Sequence, residues 1–507
     1  MSKKEEFFKY INDGYKTKGD FITLGAAMLG EETVTEAFVN IPLKTLNRHG
    51  LIAGATGTGK TKTLQVLAEN LSEKGIPVLL MDVKGDLSGL AKASPGHPKI
   101  DERHQKIGLP FEAKGFPVEI LTISEQDGTR LRATVSEFGP VLLSRILDLS
   151  ETQSGIVAIL FKYCDDNKIP LLDLKDFKKV LQYSTQEGKK ELESEYGRIS
   201  ISSTGSILRK VVEIEQQGGE LFFGERSFEV EDLTRVDENG RGLISVLRLT
   251  DIQDKPKLFS TFMLQLLAEI YSTFPEQGDS GRPELILFID EAHLIFNEAS
   301  KALLNQLESI VKLIRSKGIG IYFVTQNPKD IPSDVLSQLG LKIQHALRAF
   351  TANDRKAIKL TAENYPDSEY YDTAQVLTKL GIGEALVSCL NEKGIPTPLA
   401  RTMLRAPMSR MDILTQEELN TQISISKLTK KYNEIIDRES AYEILNVKIK
   451  RANKIEVEEK KKKENSKTTR RTSSRRSTRM NPILKVVTSA TFIRGVLGVL
   501  KKALKYL

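Results

Sequence analysis

The chain has 507 residues, 40% hydrophobic and 28% charged, with a formal net charge of +7, which is material for two or three domains of ordinary globular composition. The charge is unevenly placed: from Val447 onward nineteen Lys/Arg stand against four Asp/Glu, a net of +15 that leaves −8 for the preceding 446 residues. A nucleic-acid argument from overall charge is therefore excluded, because the basic balance belongs to the tail and the body is mildly acidic. The start, MSKKEEFF, has no apolar core of a secretory leader, and no run of ~18 uncharged apolar residues is present to span a bilayer. A cytoplasmic location is expected, with Cys164 and Cys389 as buried free thiols.

In chain order, residues 1–47 carry short β-like runs at Phe21–Leu24 and Thr33–Ile41. From Leu51, short apolar runs alternate with helical stretches, the pattern of a parallel sheet wrapped by helices. The predicted strands are LIAGA (51–55), VLLMDV (78–83), VEILTI (118–123), LISVL (243–247), LILFID (285–290), IGIYFVT (319–325) and EALVSCL (384–390). The expected division is a core over 48–407 with a helical insertion at about 136–218, then a C-terminal helical segment over 408–459. A basic disordered linker over 460–481 and an amphipathic helix over 482–507 complete it. The tail has three readings: docking on the body or a partner, tethering to nucleic-acid phosphates, or peripheral contact with an anionic membrane.

GATGTGKT (54–61) fits the phosphate-loop pattern G-x-x-x-x-G-K-[ST], the Walker A motif, without a mismatch. It follows an apolar strand and precedes a helix-patterned run. Gly54, Ala55, Thr56, Gly57, Thr58 and Gly59 are expected to curl so that backbone N–H groups face phosphate oxygens. Lys60 brings positive charge to the β- and γ-phosphates, Thr61 a hydroxyl to magnesium, and Lys62 the first turn of a helix whose positive end favours anions. The second half of the site is LILFIDEAH (285–293), read as Walker B. Its strand delivers two carboxylates to the C-terminal edge of the sheet, Asp290 for Mg2+ and Glu291 for the attacking water. Gln326, at the end of IGIYFVTQNP, is the candidate γ-phosphate or water sensor. His293 and His345 are read as packing groups, and Asp82 and Asp86 as either active-site acids or the ends of a capped turn.

These residues together resemble the HerA/FtsK superfamily of ring-forming ATPases, most nearly a bacterial HerA-like branch of the YjgR type. The likeness runs from RHGLIAGATGTGKT (48–61) through DVKGDLSGL (82–90), FIDEAHLIF (288–296) and IRSKGIGIYFVTQNPKDIPSD (314–334) to KYNEIIDRESAYEIL (431–445). It implies a RecA-like, doubly wound, mainly parallel α/β sheet. It implies a homo-hexamer with ATP at subunit interfaces, and a glutamine strand lying between the phosphate-loop and Asp-Glu strands. It also implies an arginine donated by the neighbour, for which Arg315 is the first candidate and Arg348 and Arg355 its competitors. Only about fifty residues precede the loop, so the β-barrel that many HerA proteins carry there is expected to be absent or vestigial. The expected function is an ATP-hydrolysing ring motor that translocates on or unwinds DNA; the alternative is an ATPase remodelling a protein or membrane-associated complex, and no protein partner is identified.

Overall fold

The computed structural model describes residues 2–467 except Gln253, Asp279, Ala299, Ser300, Ile435 and Asp437; the amphipathic helix expected over 482–507 lies outside the described residues, as does the linker beyond Lys467. The chain forms two compact units, one of residues up to Leu149 with Arg209–Asp437, the other of Ser150–Leu208 with the chain from Arg438.

The first unit holds a single twelve-stranded sheet: β1 (Phe21–Leu29), β2 (Glu32–Pro42), β3 (Gly50–Ala53), β4 (Val78–Asp82), β5 (Val118–Thr122), β6 (Thr129–Arg130), β7 (Ile244–Arg248), β8 (Leu285–Ile289), β9 (Ile319–Thr325), β10 (Leu341–Gln344), β11 (Glu384–Ser388) and β12 (Ala400–Leu404). The order is β2-β1-β12-β11-β10-β3-β9-β8-β4-β7-β5-β6. From β10 to β6 every neighbouring pair is parallel, and from β2 to β10 every pair is antiparallel. The fold is thus α/β with a mainly parallel sheet. Strands β4, β5, β8 and β9 are buried along their whole length, which is why each reads as a continuous apolar run rather than an alternation.

All seven predicted strands are present within two residues of their expected starts. The sheet also contains β6, β10 and β12, which the sequence does not announce. β10 is only LKIQ, and Gln344 is buried; β12 carries a buried Arg401 neutralised by Glu384 at 2.8 Å. The N-terminal segment is more than β-like. Helix α1 (Lys3–Gly14), closed by a Ser2–Glu5 capping box, buries Phe7 and Ile11, and β1 pairs with β12, so the segment extends the central sheet.

The helices Val135–Ile146, Glu151–Asp166, Leu174–Thr185, Lys189–Tyr196 and Ile201–Gln216 occupy the stretch read as an insertion, and the short helix Gly219–Phe222 follows it. The middle of that stretch, however, forms the second unit with the last helix, Ala441–Lys467. There the buried Asp176 carboxylate accepts from Ser440 Oγ (2.6 Å) and the Tyr442 N–H (2.8 Å), and Lys448 Nζ lies 2.6 Å from Glu191. That helix continues through 460–467, where the sequence reads as a ribbon without anchors. Cys164 and Cys389 are both buried and free. Among the described residues no helix is long and apolar enough to cross a membrane.

His49 fixes the entrance to β3. It sits at φ 57°, its Nδ1 accepts from the Ile321 N–H (3.0 Å) and its Nε2 donates to the Val311 carbonyl (2.9 Å). Burial pushes its pKa down to about 4, against the opposing Val311 carbonyl and with help from the Arg315 charge. A base buried neutral stabilises fully above its unfolded pKa near 6.5 and loses that contribution as pH falls towards 4, about 3 kcal/mol in all. Asparagine tolerates the same backbone, so His49→Asn should cost about 1–2 kcal/mol at pH 7.5, and the gap to wild type should close and then change sign as pH falls to 4. Denaturant midpoints across that range measure it; a gap independent of pH would show that His49 does not titrate in this way.

Candidate active site

The phosphate loop is held from both sides by the strands that flank β3. The Gly54 N–H donates to the Thr325 carbonyl at the end of β9 (3.3 Å), and the Ala55 N–H to the Ala346 carbonyl beyond β10 (2.8 Å). Thr58 Oγ1 closes the curl onto the Ala55 carbonyl (2.7 Å), while the Gly383 N–H donates to the Thr58 carbonyl (3.1 Å). Gly54 has φ 154°, and a Cβ there would fall 2.5 Å from that of His345; only glycine passes. Helix α2 (Lys60–Glu73) then starts from Gly59, whose φ is 111°. Lys60 Nζ donates to the Gly54 and Ala55 carbonyls (2.6 and 3.1 Å), and burial, then the charge of Lys84, lowers its pKa. Thr61 is half-buried in the first turn of α2. The Lys62 side chain turns away to the Met411 carbonyl (2.6 Å).

β9 lies between β3 and β8, the order that the resemblance implies. Gln326, just past β9, touches both halves: its Oε1 accepts from Thr56 Oγ1 (3.2 Å) and its Nε2 donates to Glu291 Oε1 (3.4 Å). Asp290 and Glu291 stand at the end of β8, nearly buried. The Glu291 N–H donates to Asp290 Oδ1 (3.0 Å), and Glu291 has φ 47°, a left-handed conformation uncommon for a non-glycine residue. Burial pushes the Asp290 pKa up to about 6 against the charge of Lys84. For Glu291, burial raises the pKa, but the hydrogen bond and charge of Lys84 outweigh it and hold the carboxyl below its ordinary range. Lys84 Nζ is 2.6 Å from Glu291 Oε1 and 3.6 Å from Asp290 Oδ2. His293 Nδ1 lies 3.3 Å from Glu291 Oε2. Lys84, Glu291, His293, Leu294 and Gln326 line a cavity of about 320 Å³. A second cavity, of about 610 Å³, borders the start of α2 and is walled by Gly59, Lys62, Ile382, Leu404, Pro407 and Met411.

Lys84 is the member that sequence reasoning missed, although it lies inside the quoted DVKGDLSGL. Finding it needed the register of β4 on β8, where Met81 faces Ile289. Asp82 is a capped turn: its carboxylate accepts from the Gly85, Asp86 and Leu87 N–H groups (2.7, 3.2 and 3.2 Å). His345 is buried, with Nε2 at 2.9 Å from Thr63 Oγ1. Arg315, in the short turn before β9, lies at the far end of that strand from Gln326, about 20 Å away along seven residues. Arg348 and Arg355 are exposed beyond β10.

A protein-family comparison decides the affiliation: the helicase HerA-like C-terminal family matches residues 28–500. The chain belongs to that family of P-loop ATPases. The DNA double-strand break repair helicase HerA of Sulfolobus acidocaldarius is 24% identical over 373 residues, covering 72% of this chain and 66% of that protein. Its counterpart from Saccharolobus solfataricus is 26% identical over 361 residues, covering 69% and 63%. The chain thus spans just under two thirds of the length of these relatives. Among solved structures, the bacterial conjugative coupling protein TrwB in its unbound monoclinic form aligns with a TM-score of 0.52 at 15% identity, over 80% of this chain and 94% of that one. The same plasmid coupling protein in complex with a non-hydrolysable ATP analogue aligns with a TM-score of 0.51 at 16% identity, over 80% and 95%. At such identities the match establishes the shared fold of this HerA-family chain.

Gly54→Ala and Gly57→Ala separate conformational strain from collision. Both glycines have positive φ, but nothing lies within 4 Å of a Cβ at Gly57. Gly57→Ala should cost about 1–2 kcal/mol, and Gly54→Ala about 1–3 kcal/mol more because backbone must move. Equal denaturant midpoints would contradict the packing of Gly54 on His345.

Proposed function

We propose that this chain binds ATP with Mg2+ across the phosphate loop, hydrolyses it, and uses the cycle to move on DNA as a ring, a homo-hexamer by the family resemblance. The observation that carries the hydrolysis reading is the contact chain Thr56–Gln326–Glu291, which links the loop to a carboxylate facing a cavity of about 320 Å³. The β- and γ-phosphates lie against the Gly57–Thr61 backbone and Lys60, with the γ end towards Glu291 and Gln326. The nucleoside then extends to the other side of α2, into the larger cavity. The donors present fit magnesium: Asp290 is a carboxylate whose Oδ2 is more than hydrogen-bond distance from Lys84, Thr61 is a hydroxyl on the helix start, and this metal takes few protein ligands and keeps its waters. When bound it would neutralise phosphate charge. Glu291 orients the attacking water and takes its proton, and Gln326 senses the γ-phosphate. The DNA part rests on the names of the relatives, described as DNA repair helicases.

Lys60→Ala should weaken ATP binding about 10- to 100-fold by losing a charge-assisted contact. Glu291→Gln should keep binding and lower turnover about 10²- to 10⁴-fold. Equilibrium binding and steady-state turnover measure both, and a folded Glu291→Gln protein that cannot bind ATP would contradict the roles. Turnover with and without single- and double-stranded DNA tests the substrate: no stimulation by either would favour a protein substrate.

By the family resemblance Arg315 serves the neighbour's site, a reading that its distance along β9 from Gln326 supports. Arg315→Ala should then lower turnover steeply, by about 10³-fold or more, with ATP affinity unchanged. Mixing Arg315→Ala with Glu291→Gln subunits should restore activity, because some interfaces then pair an intact Arg315 with an intact Glu291. Absence of rescue in an assembly shown to exchange subunits would move the role to Arg348.

A further inference from the structure

We propose that Lys84 is a positioning residue for hydrolysis, holding the Glu291 carboxylate at the wall of the cavity that it lines with Gln326; this rests on the hydrolysis reading above. Glu291 has little else to fix it. Its hydrogen bond from Gln326 is long, 3.4 Å. Its Oε2, buried, has no hydrogen-bond partner in the described structure although His293 Nδ1 lies 3.3 Å away. Lys84 supplies the one short contact, 2.6 Å to Oε1, and the same ammonium stands 3.6 Å from Asp290. Lys60, the other cation nearby, donates to loop carbonyls instead.

Lys84 is presented by a rigid turn, which distinguishes it from a surface lysine that happens to find an acid. Asp82 is buried and accepts three consecutive N–H groups of that turn. Gly85 has φ 75°, and a Cβ there would lie 2.7 Å from Thr250 Cγ2, just past β7, so only glycine lets the turn pass that methyl group. β4 and β8 are paired in register up to Met81 and Ile289, which delivers Lys84 to the carboxylates. The sequence Asp82-Val83-Lys84-Gly85 thus divides the work: an acid to build the turn, a lysine to reach in, a glycine to pass Thr250. A general base held 1 Å out of place loses a large part of its effect, so an ion pair that fixes one rotamer acts on turnover and leaves nucleotide affinity alone.

The test compares Lys84→Met, of similar length and uncharged, with Lys84→Arg, which keeps the charge and reach. Equilibrium binding of a fluorescent ATP analogue and steady-state turnover are measured on the same preparations. Lys84→Met should lower kcat about 10- to 100-fold with nucleotide affinity within about threefold of wild type, and Lys84→Arg should recover most of the loss. Retained binding certifies a folded site; should Lys84→Met fail to fold, Lys84→Gln is the second neutral variant, held to the same outcome. Wild-type kcat in the neutral variant, a loss of affinity as large as the loss of kcat, or an arginine variant as slow as the neutral one would each overturn the positioning role. Glu291→Gln run in parallel separates the two readings: if it keeps full turnover the hydrolysis reading fails, whereas an inactive Glu291→Gln beside a fully active Lys84→Met removes only the role of Lys84.

Discussion

The placement of β9 between β3 and β8 is the constraint on which the site depends. β9 is paired with β3 through Tyr322–Thr325 and with β8 through Ile319–Phe323. Parallel strands in register end at one edge, so the loop after β3, the carboxylates after β8 and the glutamine after β9 emerge side by side. The pairing also supplies the backbone acceptors that hold neighbouring segments: the Thr325 carbonyl takes the Gly54 N–H, and the Val324 carbonyl takes the Ala292 N–H. Moving β9 by one residue would detach both and turn its side chains to the opposite faces. Its seven residues are all buried, which makes such a slip costly.

Burial at that edge sets the electrostatics. Asp82 and Asp290 are pushed up, to about 7 and about 6, by desolvation first, while Glu291 alone of the three is held low, against its own burial, by Lys84. The difference follows from contacts: Asp82 is answered by backbone N–H groups, Asp290 by one N–H, Glu291 by a whole charge at 2.6 Å. Carboxylates on neighbouring strands are thereby sorted into a structural acid, a buried acid and an ionised base candidate.

The legible part of this molecule is the part whose information is local. The loop Gly54–Thr61 is a spacing, and the seven apolar runs are continuous because their strands are covered on both faces. β10 and β12 were illegible since their burial depends on partners far away in sequence: Gln344 is buried beside Tyr365, and Arg401 is buried against Glu384. Lys84 was illegible for the same reason, its meaning residing in the register of β4 on β8. The pairing of Ser150–Leu208 with the last helix was hidden because it turns on Asp176 meeting Ser440 and Tyr442, residues 264 and 266 positions away. Gln326 was readable as a polar residue ending a buried strand, but the place of that strand between β3 and β8 came only through the family likeness.

Glu291 shows how a site of this kind is assembled from opposed costs. Its left-handed backbone is unfavourable by about 1–2 kcal/mol, and its half-satisfied buried carboxylate is unfavourable as well. Neither would persist unless surrounding contacts over-determined it. Those contacts are all from other segments: Lys84 from the β4 turn, Gln326 from β9, and the Val324 carbonyl that anchors the next residue, Ala292. A residue strained by its own segment and held by two others, the β4 turn and β9, is free to reorient only when one of those holds is exchanged. The shortest of those contacts is the one from Lys84, 2.6 Å from a side chain about a third exposed to a carboxylate that is 7% exposed, so the hold on the base comes from outside the strand that carries it.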